Sequence, residues 1–269
     1  MRYSRIVVGV DGREFGFEAL RQALVLRAPD GVVRAVSVID DMAAVHAGFG
    51  SEAVAEIIEE ARRARDEAAR MLAGCPSCET RLIHGVPSKT LLAVAKDKHA
   101  ELLVIGGRHR SRVAGMLLGG TMTTVLHDAP CSVLLANIRR GEVWLPRRIV
   151  VGLDGSGYSL AALAVADELA ARFGSSVSTL AALGGKLISR EGEWASRVDE
   201  WPAEHPVDAL DDASVTADLV VIGSRGLHGV RALGSVGERV AHRARCSVLL
   251  VRTQAGGSTE EPAELVEED

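Results

Sequence analysis

Arg5-Ile6-Val7-Val8-Gly9-Val10-Asp11-Gly12 returns 143 residues later as Arg148-Ile149-Val150-Val151-Gly152-Leu153-Asp154-Gly155. Two more blocks repeat in the same order. Ala100-Glu101-Leu102-Leu103-Val104-Ile105-Gly106 recurs as Ala217-Asp218-Leu219-Val220-Val221-Ile222-Gly223 at an offset of 117, and Cys131-Ser132-Val133-Leu134-Leu135 as Cys246-Ser247-Val248-Leu249-Leu250 at an offset of 115. A chain of 269 residues that repeats itself at this spacing is two related units in tandem, each able to bury a core of its own. The falling offsets locate the differences: from 143 to 117 the second unit loses 26 residues between its first two blocks, and from 117 to 115 it loses 2 more. The larger loss is the size of a helix with its connections.

Within each unit, short apolar runs alternate with helix-period patterns, the mark of successive β-α-β turns on a parallel sheet. The expected fold is therefore α/β, two tandem doubly wound parallel-sheet domains of Rossmann-like type, the second truncated by about one helix. Strands are expected at 5–10, 32–39, 80–84, 102–106 and 132–136, then near 148–153, 176–183, 219–223 and 247–251, with a third strand of the second unit around 197–201. Val54, Ile57, Ile58, Ala61, Ala68 and Leu72 recur mostly by threes and fours and predict an amphipathic helix over 51–73. The second unit offers 184–204 in its place, where Gly184, Gly185, Gly192 and Pro202 surround Trp194 and Trp201, so a short helix or irregular cover is expected. The domains are expected at 1–140 and 145–253, with the boundary in 137–146.

Aromatic residues make up only 3% of the chain, while small aliphatic side chains abound, which suits helices packed closely on a buried parallel sheet. The formal charge is -5, but 255–269 carries six acids and no Lys or Arg, so the body is near +1. The segment 254–269 is expected to be a disordered acidic tail. Nothing in this balance recommends nucleic acid as a partner. Met1 leads almost directly into an apolar strand, and no apolar run approaches bilayer thickness, so a cytoplasmic protein with no membrane association is expected. Cys75-Pro76-Ser77-Cys78 has no second pair at zinc-like spacing. It reads either as a helix-to-strand turn with incidental thiols, the favoured reading, or as a redox or metal motif.

In a doubly wound sheet, ligands bind beyond the carboxyl ends of the strands where strand order reverses. Asp11 and Asp154 directly follow the first strand of each unit. Such a carboxylate can accept from ribose hydroxyls or bind a metal, or it can be a turn acid at the start of a helix, with Ser156 or Asp154 capping an orphan N–H. After the fourth strand come Gly106 in the first unit and Gly223-Ser224-Arg225-Gly226 then Gly234-Ser235 in the second, ahead of a helix from Val236. Glycines permit close approach, and a helix N-terminus offers free N–H groups, a combination suited to phosphate. Turns also need glycine. Val38 and Ala182, at the ends of the second strands, are where backbone could meet an adenine edge.

These residues resemble the universal stress protein family, which has a first strand Val-Gly-Val-Asp-Gly-Ser and a phosphate motif G-x2-G-x9-G-[S/T]. The resemblance covers about 3–136 and 147–252. It implies an adenine nucleotide alpha hydrolase-like fold in which the aspartate holds ribose, the second-strand backbone meets adenine, and the glycine loop holds phosphates. The implied positions are Asp11, Val38, Gly106, Gly119 and Gly120 in the first unit, with His109 and Thr121 at its altered motif. In the second they are Asp154, Ala182, Gly223, Gly226, Gly234, Ser235 and Val236. His109 stands for the second glycine and Gly120 for the Ser/Thr of the first unit, and the second unit has seven residues where nine are expected. Arg108 and Arg225 occupy one repeat position and read equally as phosphate contacts or surface ion pairs. His109 reads as a loop histidine or a phosphate donor.

The implied cofactor is ATP or AMP, with Mg2+ for a triphosphate, and the implied role is regulatory. An interaction module without nucleotide is the alternative. No Walker lysine loop or catalytic triad motif is present, so at most slow ATP hydrolysis is expected. The fifth strands, ending in Val133-Leu134-Leu135 and Val248-Leu249-Leu250, are expected at sheet edges, where the resemblance implies pairing of the two units and a homodimer of chains, alongside an unknown protein partner.

Overall fold

The computed structural model describes residues 3–40, 50–107, 120–138, 143–182, 193–224 and 235–253. In the first unit the apolar runs form β1 (Arg5–Gly9), β2 (Val32–Ile39), β3 (Glu79–His84), β4 (Leu102–Gly106) and β5 (Ser132–Ala136). Between them lie helices α1 (Glu14–Leu26), α2 (Ser51–Met71), α3 (Pro87–Asp97) and α4 (Gly120–Asp128). The second unit contributes β6 (Arg148–Gly152), α5 (Gly157–Phe173), β7 (Ser176–Leu180), a 3-10 helix (Glu193–Arg197), α6 (Pro206–Ala213), β8 (Leu219–Ser224), α7 (Val236–Arg243) and β9 (Ser247–Arg252). The acidic tail expected at 254–269 lies outside the described residues.

The strands join in one sheet, in the order β3-β2-β1-β4-β5-β9-β8-β6-β7. Neighbours within each unit are parallel, and β5 and β9 are antiparallel. The strands nearest the centre are buried on both faces, which is why they read as continuous apolar runs rather than as an alternation. Helices α1, α2 and α5 cover one face and α3, α4, α6 and α7 the other, so each face has a core that runs through both units without a break.

The fifth strands are therefore edges of their units but lie at the middle of the molecule. Leu134 pairs with Leu249, its own repeat equivalent, and Val133 with Leu250 and Leu135 with Val248 flank it symmetrically. This is an isologous contact made inside one chain. Its flanks are also matched: Asn137 N–H donates to Ser247 Oγ (3.1 Å), and Arg252 N–H donates to Ser132 Oγ (3.1 Å).

Two expectations are corrected. No third strand forms around 197–201; the 3-10 helix ends at Arg197, and only Glu200 bridges Leu180. Asp199 Oδ2 accepts from Thr179 N–H (2.8 Å) and Thr179 Oγ1–H (2.9 Å), so a side-chain oxygen stands where the carbonyl of an adjoining strand would be. Cys75 and Cys78, favoured as incidental thiols, are joined by a disulfide in the turn between α2 and β3. Strand ends also shift slightly: β1 stops at Gly9, β6 at Gly152 and β7 at Leu180.

Candidate functional site

Each unit places its strand-one acid beside a glycine at or next to the end of the neighbouring strand, Gly106 on β4 and Gly223 on β8. In the first, Val8 pairs with Val104, so Asp11 and Gly106 emerge from adjacent strand ends, and Val10 N–H donates to Val36 O (2.9 Å), which brings Val38 alongside. In the second, Gly152 pairs with both Ile222 and Leu180, and Asp154, Gly223 and Ala182 emerge together. Both corners are points where strand order reverses, between β1 and β4 and between β6 and β8.

The acids sit in the same tight turn with different support. Gly12 and Gly155 follow them with φ of 77° and 80°, a conformation that glycine adopts without strain. Asp154 Oδ1 accepts from Ser156 N–H (2.9 Å), Ser156 Oγ caps α5 by accepting from Ser159 N–H (3.2 Å), and Ser159 Oγ–H returns to Ser156 O (2.9 Å). The cap is thus Ser156, and Asp154 orders the turn ahead of it. Asp11 Oδ1 accepts from Arg13 N–H (3.1 Å), but α1 has no side-chain cap and Asp11 is exposed.

The turns also differ in what lies behind them. A β-carbon on Gly12 would stand 3.3 Å from Cβ of Ala64 on α2. On Gly155 it would stand 2.8 Å from Cε2 of Trp194, with Cζ2 at 2.9 Å and Nε1 at 3.0 Å. Trp194 is held from behind by Trp201, with ring centroids 5.8 Å apart, and its 3-10 helix is tied to α5 by Arg197–Asp167 (3.0 Å). One indole therefore backs the acid turn where the first unit has a helix. Sequence reading treated Trp194 only as cover; the signal it missed was the need for something to replace the deleted helix against Gly155.

Gly106 and Gly223 have a packing reason that spacing did not reveal. A β-carbon on Gly106 would lie 2.8 Å from the backbone of Phe15, and one on Gly223 would lie 2.3 Å from the backbone of Tyr158. These glycines let α1 and α5 rest directly on the sheet. Ser235 caps α7, its Oγ accepting from Glu238 N–H (3.2 Å), and Val236 opens that helix. Gly120 begins α4, exposed, with Thr121 next. Val38 is partly buried and Ala182 fully so. Arg108, His109, Gly119, Arg225, Gly226 and Gly234 lie outside the described residues.

Two doubly wound repeats, each with an acid just past its first strand and a glycine at or next to the end of the neighbouring strand, define a tandem α/β protein. The chain belongs to the universal stress protein family, whose model matches residues 2–137 and 196–252. A universal stress protein of Mycobacterium tuberculosis is 30% identical over 219 residues, covering 69% of this chain and 72% of the relative. A solved universal stress protein from Archaeoglobus fulgidus shares the fold with a TM-score of 0.72 at 20% identity, covering 93% of this chain and 96% of its own. A second solved structure, from Pseudomonas aeruginosa, gives a TM-score of 0.64 at 14% identity, covering 94% of each chain.

Proposed function

We propose that this universal stress protein is a regulatory, cytoplasmic binder of adenine nucleotide, and that its second unit is the principal site. The observation that carries the reading is Asp154 and Gly223 emerging together at one reversal point of the sheet, with the Ser235-capped α7 following β8 in the chain. Asp154 uses Oδ1 to hold its turn, which fixes the carboxylate before any ligand arrives; its other oxygen is then oriented to accept from ribose hydroxyls. The start of α7 supplies N–H groups and the positive end of a helix dipole for phosphate. For a triphosphate, Mg2+ would enter with the phosphates of ATP. Ala182 and, in the first unit, Asp11, Val38, Gly106, Gly120 and Thr121 complete the proposed contacts.

The alternative, an interaction module, draws on the isologous β5–β9 seam. That seam uses both fifth-strand edges within one chain, so a homodimer of chains would need another surface.

Thermal unfolding with Mg-ATP or AMP tests the nucleotide reading. Ligand at 100 times its Kd stabilises by about 2.7 kcal/mol, and Asp154→Ala should abolish most of the shift. An unchanged midpoint at millimolar nucleotide would leave the interaction module standing.

A further inference from the structure

We infer that Cys75 and Cys78 form a reversible thiol–disulfide site on the surface of the first unit, apart from the nucleotide corners. The four cysteines divide into two kinds. Cys131 and Cys246 form no disulfide and are buried at the starts of β5 and β9, and burial pushes the Cys131 thiol up to about 12, so at neutral pH it is protonated and shielded from exchange. Cys75 and Cys78 are bonded to each other in a turn whose two intervening residues, Pro76 and Ser77, are exposed.

The disulfide is not what holds that turn. Cys78 N–H donates to Cys75 O (2.9 Å), Cys75 N–H to Leu72 O (2.8 Å), and Ser77 Oγ–H to Gly31 O (3.2 Å) on the neighbouring loop. These bonds set the two Cα atoms 5.3 Å apart, within ordinary disulfide range, so dithiol and disulfide fit one backbone. A cross-link over a sequence separation of 3 also removes far less chain entropy than one closing a long loop. What the pair offers is chemistry rather than a staple.

Cys78 is the more exposed residue of the pair, Cys75 being only 8% exposed. A thiolate of an external dithiol attacks Cys78 Sγ, the S–S bond breaks, and Cys75 leaves as a thiolate and takes a proton. The second thiol of the reductant then attacks its own sulfur in the mixed disulfide and releases Cys78, which is protonated in turn. Two electrons and two protons pass to the pair, and the reductant leaves as its disulfide. A disulfide oxidant runs the sequence backwards.

The test uses the full native chain equilibrated in graded mixtures of reduced and oxidised dithiothreitol, then quenched in acid, alkylated and weighed. Two alkyl groups should appear together on Cys75 and Cys78 in a single two-electron transition, with Cys131 and Cys246 unmodified until denaturant is added. The reduced protein should keep its circular dichroism and melt within ~5 °C of the oxidised one. Cys75→Ser should be captured by oxidised glutathione at least tenfold faster than Cys78→Ser. A native protein that forms no disulfide under oxidising buffer, or one that yields its disulfide to reductant only on unfolding, would overturn the assignment. Capture at equal rates would overturn Cys78 as the attacked sulfur.

Discussion

At Gly223 one missing carbon decides how closely the second unit can pack. Since a β-carbon there would lie 2.3 Å from the carbonyl carbon and oxygen of Tyr158, Gly223→Ala must push α5 off the sheet and should destabilise by about 3 kcal/mol in urea titration. Gly157→Ala is its control: no atom lies within 4 Å of the new carbon, and the residue opens a helix, so stability should hold or rise by up to about 1 kcal/mol. His242 gives a second test at this scale. It is half-buried in the last turn of α7, and burial holds its pKa below the usual histidine range despite the opposing pull of Glu238, which His127 of α4 also approaches (3.4 Å). A depressed histidine binds fewer protons folded than unfolded. Its contribution is therefore complete above about pH 6.5 and is lost as pH falls through the lower folded value. The melting temperature should drop between pH 7.5 and 5.5, and His242→Gln should flatten that slope; an identical slope in the variant would remove His242 as the cause.

Between elements, the two units cap each other's helices. Arg252, at the end of β9, donates through its guanidinium to Leu126 O (2.6 Å), His127 O (3.1 Å) and Ala129 O, the otherwise unpartnered carbonyls at the end of α4. Its repeat equivalent Asn137 donates through Nδ2 to Ala244 O (3.3 Å) and Cys246 O (2.7 Å) at the end of α7. Arg172 of α5 does the same for α1, bonding Val25 O, Leu26 O and Arg27 O. Arg252→Ala should cost about 3 kcal/mol by chemical denaturation, since it strands buried carbonyls. Arg252→Lys should recover less than half, because one ammonium cannot reproduce the planar fork. None of this was legible in the sequence, where Asn137 read as the start of a linker and Arg252 as a residue just past the last expected strand. A capping partner more than a hundred residues away leaves no periodicity behind it.

Across the whole molecule, the seam makes one folding unit of two. Besides the β5–β9 ladder, Ser247 Oγ–H donates to Gln22 Oε1 (2.8 Å), and Gln22 Nε2 donates to Glu18 Oε1 (2.9 Å) and Asn137 O (3.0 Å), a buried network drawn from both units. Such a network stabilises little if any member is lost, because the remaining polar groups are left buried. Calorimetry should therefore show one transition with equal calorimetric and van't Hoff enthalpies, and Gln22→Leu should lower its midpoint; two resolved transitions would mean that the units unfold separately.

The order and length of the repeated apolar blocks were enough to determine the duplicated α/β fold, most strand positions, the missing helix and the acids at the strand tips, because burial of a parallel sheet is a local, periodic demand on sequence. Tertiary structure alone decided that Trp194 backs Gly155, that Gly106 and Gly223 serve helix packing, that an Asp199 side chain and a single Glu200 bridge stand in for the third strand of the second unit, and that Arg252 and Asn137 lock the seam. Each of those depends on which distant surfaces meet, a property of the assembled sheet and not of any stretch of chain.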